Sequence, residues 1–428
     1  MPKPETHFIR RYYPWIIFLL SSSFFFYKYL LQVSPSVMTS ELMQAFSLSG
    51  LQMGNLAAFY FYTYLIMQLP AGLLIDRYSP KKLMTLAILI CATGGLVFAK
   101  APGLGTAEFG RLLVGLGGAA AVIGTSKFIS LWFKPEKFAL ISGFMMTLGM
   151  LGAVCAQAPL TLLMNHFSWR SSAMILAIIG YGIAILFLLI ARDKAISDEP
   201  IKTTVKKPAV LKGLLAIMKN RHSWLIALYS GLAFAPISAF GGLWGVPYLM
   251  RVYPTLDKTT IAALTSLIFI GFAVGSPLAG WFSDRIKRRN PVMAVGTLLS
   301  MIAIIIVLYV PHLSEFTLGA MLFCMGFFTG FFFVSFATIR EMNDTRLSAT
   351  SIGFINMFNA LCGAFSEPLI GKLLDQGWNH ITRHGVRIFS IHDYHVALLT
   401  LPICLCVALI ALFFTKETFC QNQINNSH

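Results

Sequence analysis

Lys28, Arg111, Glu108 and Glu367 each sit inside or at the edge of a run that is otherwise apolar for about twenty residues. A charge in such a run is expensive, so each one is a functional candidate by default. Cations there suit a carboxylate or phosphate ligand. A buried acid can receive an amino group or carry a proton. Lys28 lies about 15 residues into the first run, roughly two-thirds of the way along it at 1.5 Å per residue; its stem also allows it to snorkel. Arg111 follows Glu108 by three residues, which suits either a local salt bridge or a ligand contact. Helical spacing puts Asn356, Gly363 and Glu367 on one stripe, with Asn359 alongside. Tyr60, Tyr64 and Gln68 share another face, as cavity lining or as interface aromatics. Cations outnumber acids, which favours an anionic substrate. No nucleophile–base pair, phosphate-binding glycine loop or cofactor motif accompanies these residues. The chain reads as a non-enzyme without cofactor, and any accumulation is driven by ion or substrate gradients.

The elements that must position these residues follow from composition. Hydrophobic residues make up 57% of the 428 and charged residues 12%, with mean hydropathy +0.72. A soluble globule is less apolar and about twice as charged, so this is an integral membrane protein. Twelve apolar segments run over about 13–34, 51–71, 83–100, 106–131, 138–163, 171–191, 223–250, 260–283, 292–311, 315–338, 347–374 and 395–415. Lipid offers the backbone no hydrogen-bond partner, and the segments are twice the length of barrel strands, so all are expected to be helices. The fold class is an all-α membrane protein. The basic start is read as a first span, not a removed signal peptide.

Orientation comes from Lys and Arg. With the N-terminus inside, the inner loops and tails hold 23 of the 33, and the outer loops hold Lys100, Arg170, Arg251, Lys258, Arg383 and Arg387. This puts both termini in the cytoplasm and Lys127 at an inner helix end, where it snorkels. The net charge of +16 mainly reflects topology, so no nucleic-acid partner is expected. Residues 192–221 are polar, basic and Pro-containing. They read as a linker between two halves, 1–191 and 222–428, with a short amphipathic helix near 209–219 at the inner leaflet. Six cysteines sit in apolar runs as small hydrophobes, and Cys420 is in the tail. The loop 380–395 holds His380, His384, His392, Asp393 and His395; it shows no closed ligand spacing, and no metal is expected. Pro236, Gly241, Gly242, Gly245 and Pro247 predict an irregular seventh helix.

The chain also repeats itself. GLLIDRYSPKK (72–82) returns as GWFSDRIKRRN (280–290), with Asp76 and Asp284 208 positions apart. SGFMMTLGMLGAVCAQAPL (142–160) aligns with IGFINMFNALCGAFSEPLI (352–370), pairing Gln157 with Glu367. Two six-helix halves in the same orientation form a parallel repeat around a central site. The doubled G-x-x-x-D-R signature resembles that of the major facilitator superfamily, with Ser79-Pro80 departing from the usual pattern, and FGRLLVGLGGAA (109–120) resembles its fourth-helix motif. YKYLLQVSPSVMTSEL (27–42) with NLAAFYFYTYLIMQLPAGLLIDR (55–77) resembles the phagosomal nutrient transporter subgroup of intracellular bacteria.

The resemblance implies twelve transmembrane helices in two halves that rock about a central site. It implies that Asp76, with Arg77, gates the inner side by capping helix 11, where a carboxylate meets a helix N-terminus, and that Asp284, with Arg285, meets helix 5. Many proton-coupled relatives carry an acid in helix 1, where this chain has Lys28, so Glu367 is the proton-carrier candidate. Lys28, Tyr60, Tyr64, Arg111, Asn356 and Asn359 are the expected substrate ligands. The reading is a monomeric importer of a small polar nutrient, an amino acid or similar zwitterion or anion, in the bacterial inner membrane; the alternative is a drug or siderophore exporter of the same fold.

Overall fold

The computed structural model describes residues 4–134, 137–193, 210–344, 347–383 and 385–423. The chain is almost wholly helical. Helices α1 (Pro4–Val33), α2 (Pro35–Phe46), α3 (Gly50–Arg77), α4 (Pro80–Ala99), α5 (Leu104–Trp132), α6 (Phe138–Cys155), α7 (Ala158–His166) and α8 (Trp169–Ile190) come first. They pack mainly on one another. After α9 (Val210–Lys219) come α10 (Arg221–Ala235), α11 (Gly245–Val252), α12 (Lys258–Ile286), α13 (Asn290–Tyr309), α14 (Glu315–Thr329), α15 (Ser335–Glu341), α16 (Ser348–Gly377), α17 (Ile391–Leu398) and α18 (Thr400–Phe413). Ten described segments are long and apolar enough to cross a membrane. Two more helices, α3 and α16, run for 28 and 30 residues and lie against each other.

Breaks in the spans have local causes. Pro35 has no N–H to give to the Leu31 carbonyl four residues back, and α1 ends there. The irregularity expected of the seventh segment is a nine-residue π-helix, Pro236–Trp244, between α10 and α11. The fifth segment breaks at Gln157, and a 3-10 turn over Gly330–Val334 interrupts the tenth. The loop after α16 forms a small hairpin, Thr382–Arg383 paired with Val386–Arg387. Helix α9 falls where an amphipathic helix was expected, with Ile217 buried and Leu215 and Met218 exposed. The linker 194–209 preceding it lies outside the described residues.

Hydrogen bonds that join the two groups of helices cluster at the end away from the termini, here the distal end. Both Asp375 oxygens accept the Gly50 and Leu51 N–H groups at 2.8 Å. Lys258 meets Glu41 at 2.6 Å, Asn165 donates to Thr259, and Gln157 donates to the Gly241 carbonyl at 3.0 Å. Helices α3 and α16 approach closely because glycine faces them: a Cβ on Gly50 or Gly54 would strike the Gly371 or Glu367 backbone.

The terminal end carries a different cluster. Arg289 bonds Asp284 at 2.7 Å and Glu341 at 2.6 Å. Glu417 accepts the N–H groups of Arg289 and Asn290 at the start of α13, a carboxylate at a helix N-terminus. Burial opposes the Arg289 charge, but Glu341 and Asp284 outweigh it and hold the guanidinium above its ordinary range. The Asp76 side chain lies outside the described residues. Arg77 is exposed beside Tyr78, and Arg285 is exposed beside Trp281. Asp284 bonds Arg289 and makes no hydrogen bond to α6 among the described residues.

Candidate functional site

A small cavity lies between the two groups of helices. Tyr29 and Gln32 of α1, Phe234 of α10, Ser238 and Gly242 of the π-helix and Glu367 of α16 line it. The polar lining is only partly satisfied. Gln32 Oε1 is buried without a hydrogen-bond partner, and the buried Ser238 Oγ and Glu367 carboxyl have only each other. Such groups cost free energy when left alone in a low-dielectric interior. Glu367 is 3% exposed and its backbone carbonyl accepts from Trp244 Nε1 at 3.1 Å. Trp244 thereby ties the end of the π-helix to α16.

Lys28 stands one turn before Gln32, beneath an aromatic wall. Its Nζ lies 3.7 Å from the Tyr29 ring centroid, 4.9 Å from Tyr64, 5.5 Å from Tyr60 and 5.9 Å from Phe25. Tyr60 and Tyr64 stack on each other at 5.5 Å, a helix turn apart on α3. Ring faces attract the ammonium, yet Lys28 has no hydrogen bond or ion pair among the described residues. Gly118 of α5 leaves room for its stem.

Arg111 does something else. Its Nη1 donates to the Leu31 carbonyl at 2.7 Å, and its Nη2 donates to the carbonyls of Gln32 and Ala57 at 3.3 Å. Leu31 is the acceptor that Pro35 cannot serve, and the Ser34 hydroxyl shares it with Arg111, donating at 3.1 Å. The guanidinium therefore closes the broken C-terminus of α1 and fastens α1 and α3 to α5, which suits its positive charge. Glu108 forms no ion pair with Arg111 among the described residues. Asn359 accepts from Ser230 Oγ at 2.8 Å, and Asn356 is half-buried one turn before it toward the terminal end. Neither asparagine lines the cavity.

The structure thus brings Lys28, Tyr60 and Tyr64 together beside Tyr29, outside the cavity lining, and puts Glu367 in that lining. It places Arg111 on backbone and the asparagines below. Gln32 and Ser238 were not singled out from sequence. Gln32 had a legible signal, a polar residue one turn from Lys28 in an apolar run; Ser238 had only its place after Pro236. Of the loop 380–395, Asp393 caps α17 with Ser390, His384 lies outside the described residues, and no group of three metal-ligating side chains occurs among those described.

Comparison with known proteins bears on the whole chain. The family model of the Major Facilitator Superfamily matches residues 16–257 and again 237–423. A probable L-galactonate transporter of Escherichia coli is 23% identical over 91% of this chain and 86% of its own length. A probable galactarate/D-glucarate transporter of Bacillus subtilis is 23% identical over 87% of this chain and 88% of its own. Among solved structures, a bacterial homologue of the human lysosomal transporter Spinster, in an inward-facing and unoccupied conformation, superposes with a TM-score of 0.75. It is 17% identical and covers 95% of this chain and 97% of that one.

Proposed function

We propose, on the premise that this chain belongs to the Major Facilitator Superfamily, that it is a secondary transporter carrying a small organic anion across a bacterial inner membrane by alternating access. The observation that carries the reading is the convergence of the unpartnered Gln32 side chain and the Ser238–Glu367 pair on one cavity between the two groups of helices. A bound solute would satisfy them. The relatives' names point to hydroxylated acids, which favours a sugar-acid nutrient over an amino acid and over drug or siderophore export.

In this reading residues 1–191 and 222–428 are the two moving halves and 192–221 links them, so one monomer holds a complete site. The Lys and Arg distribution puts both termini in the cytoplasm. The closed distal end is then periplasmic, and the structure is an inward-facing state. Lys28, with Tyr60 and Tyr64 around it, takes the substrate carboxylate. Asn356 and Asn359 lie along the route to the cytoplasm. Arg111 holds the shape of the site. Asp76, Arg77, Asp284 and Arg285 act when the cytoplasmic side closes, and Glu367 carries the coupling proton.

The test is uptake and counterflow of radiolabelled L-galactonate in proteoliposomes. Wild type should transport, and Lys28→Gln should lose most of that transport while remaining in the membrane. Transport unchanged by Lys28→Gln, or absent for every sugar acid in the wild type, would remove the reading.

A further inference from the structure

We infer that Gln157 is the latch that seals the cavity on its distal side, and that its amide must part from the Gly241 carbonyl before a solute can enter from outside. The inference rests on the alternating-access reading above, in which the distal end is periplasmic, and assigns the contact that governs its opening. Gln157 stands where the fifth segment breaks, between α6 and α7. Its Nε2 donates to the Ser36 hydroxyl of α2 at 2.9 Å and to the Gly241 carbonyl of the π-helix at 3.0 Å. Its Oε1 accepts from the same hydroxyl at 3.2 Å. One amide therefore holds both groups of helices at once.

Depth separates this bond from the other distal bonds described above. Gln157 is 0% exposed and Gly241 is buried. Ser238 and Gly242 of the same π-helix line the cavity. By contrast, Lys258 and Glu41 are 19% and 33% exposed, and Asn165 and Leu51 lie open to the surroundings. A hydrogen bond away from water is electrostatically stronger. The residue type follows from the repeat. Glu367 holds the matching position in the second half, and its carboxyl meets Ser238 as Gln157 meets Ser36. The two copies differ in what they can donate. An amide carries two N–H groups, one for its serine and one to spare, whereas a carboxylate only accepts. The copy with the spare N–H reaches across the seam, and the copy without one faces the cavity. An amide also has no proton to lose near neutral pH, so this seal holds whether Glu367 is charged or neutral.

The experiment uses the full-length protein in intact cells. Met150 of the cavity lining is replaced by cysteine as a reporter, and a membrane-impermeant thiol reagent is added outside. Labelling above that of the protein that keeps Met150 is measured at about pH 5.5 and about pH 8.5. Each Gln157 variant is read as a ratio to the reporter alone at the same pH. Gln157→Met, which cannot donate, should raise labelling about three- to tenfold at both. Gln157→Glu keeps the bond from Ser36 but, once ionised, turns an acceptor toward the Gly241 carbonyl. It should raise labelling at least as much in alkali and fall back toward the reporter alone in acid, where a protonated carboxyl donates again. A residue with only a packing role would show no such recovery. No rise with Gln157→Met overturns the inference, and so does a rise with Gln157→Glu that is equal at both pH values. If Gln157→Glu fails to fold, Gln157→Met decides alone. The expected labelling without any L-galactonate uptake would remove the organic-anion reading and leave the latch standing.

Discussion

Asp375 caps Gly50. Its two carboxylate oxygens take the Gly50 and Leu51 N–H groups at 2.8 Å, at the first turn of α3, where four N–H groups have no helical acceptor. The same carboxylate accepts from Arg387 at 3.0 Å, and that guanidinium lies 4.2 Å from the Trp378 ring centroid. One acid thus joins a helix end from one half, a hairpin from the other, and the distal seam between them. The sequence pointed to this kind of contact at the opposite end, with Asp76 on helix 11. Here a carboxylate on helix 11 caps helix 2.

Asp375→Asn should loosen the distal seam. Losing one helix-terminal carboxylate is worth about 1 kcal/mol, several-fold in population. A cysteine placed at Gln52 should become more reactive toward a membrane-impermeant reagent added outside. Unchanged labelling together with unchanged transport would show that the seam is held by Glu41–Lys258 and Gln157 instead.

Arg111→Gln should lower thermal stability by about 1–3 kcal/mol, because the carbonyls of Leu31, Gln32 and Ala57 lose a shared charged donor. Pro35→Ala restores an N–H that can serve Leu31. In the Arg111→Gln background it should recover part of the loss, whereas alone it should change little. A double-mutant cycle with no coupling would mean that Arg111 does not act through the α1 break.

Glu341→Ala should destabilise more than Asp284→Ala. Arg289 is 7% exposed, while its partners are 15% and 65% exposed. Removing Glu341 takes away the buried, two-point partner and leaves the guanidinium only the exposed Asp284, whereas the exposed partner contributes about 0–1 kcal/mol. Melting of the two variants in detergent checks the order. Equal losses would contradict it.

Glu367→Gln should abolish uphill accumulation yet preserve counterflow, because exchange needs no net proton movement. Proteoliposomes loaded with a pH-sensitive dye decide this. Equal substrate-driven acidification in wild type and variant would assign the proton to another group; none in either would make the protein a uniporter or tie it to another ion.

Most of the architecture was legible because lipid leaves so few options. Length, apolarity and the Lys and Arg distribution locate the spans, and the doubled Asp-Arg signature identifies the repeat. The site was legible only in part. Lys28 and Glu367 stood out because charge in an apolar run is rare. Arg111 stood out for the same reason, but its use was hidden: a guanidinium bound to backbone carbonyls leaves no side-chain partner to find in the sequence. The missing N–H at Leu31 follows from Pro35, yet nothing local says that α5 adds, 80 residues later, a charged donor alongside the Ser34 hydroxyl. Asp375 was passed over because it lies at a helix end, where an acid is cheap.

The π-helix at Pro236–Trp244 gives the joint between the halves some slack. Its bonds reach five residues back instead of four. Returning one such turn to the tighter winding would carry everything after Gly245 about 1.5 Å along the axis and about 100° around it. Gln157 grips this stretch at Gly241, and Trp244 reaches out of it to Glu367. The most pliable length of the seventh segment is therefore the one clasped from both sides, once by each group of helices.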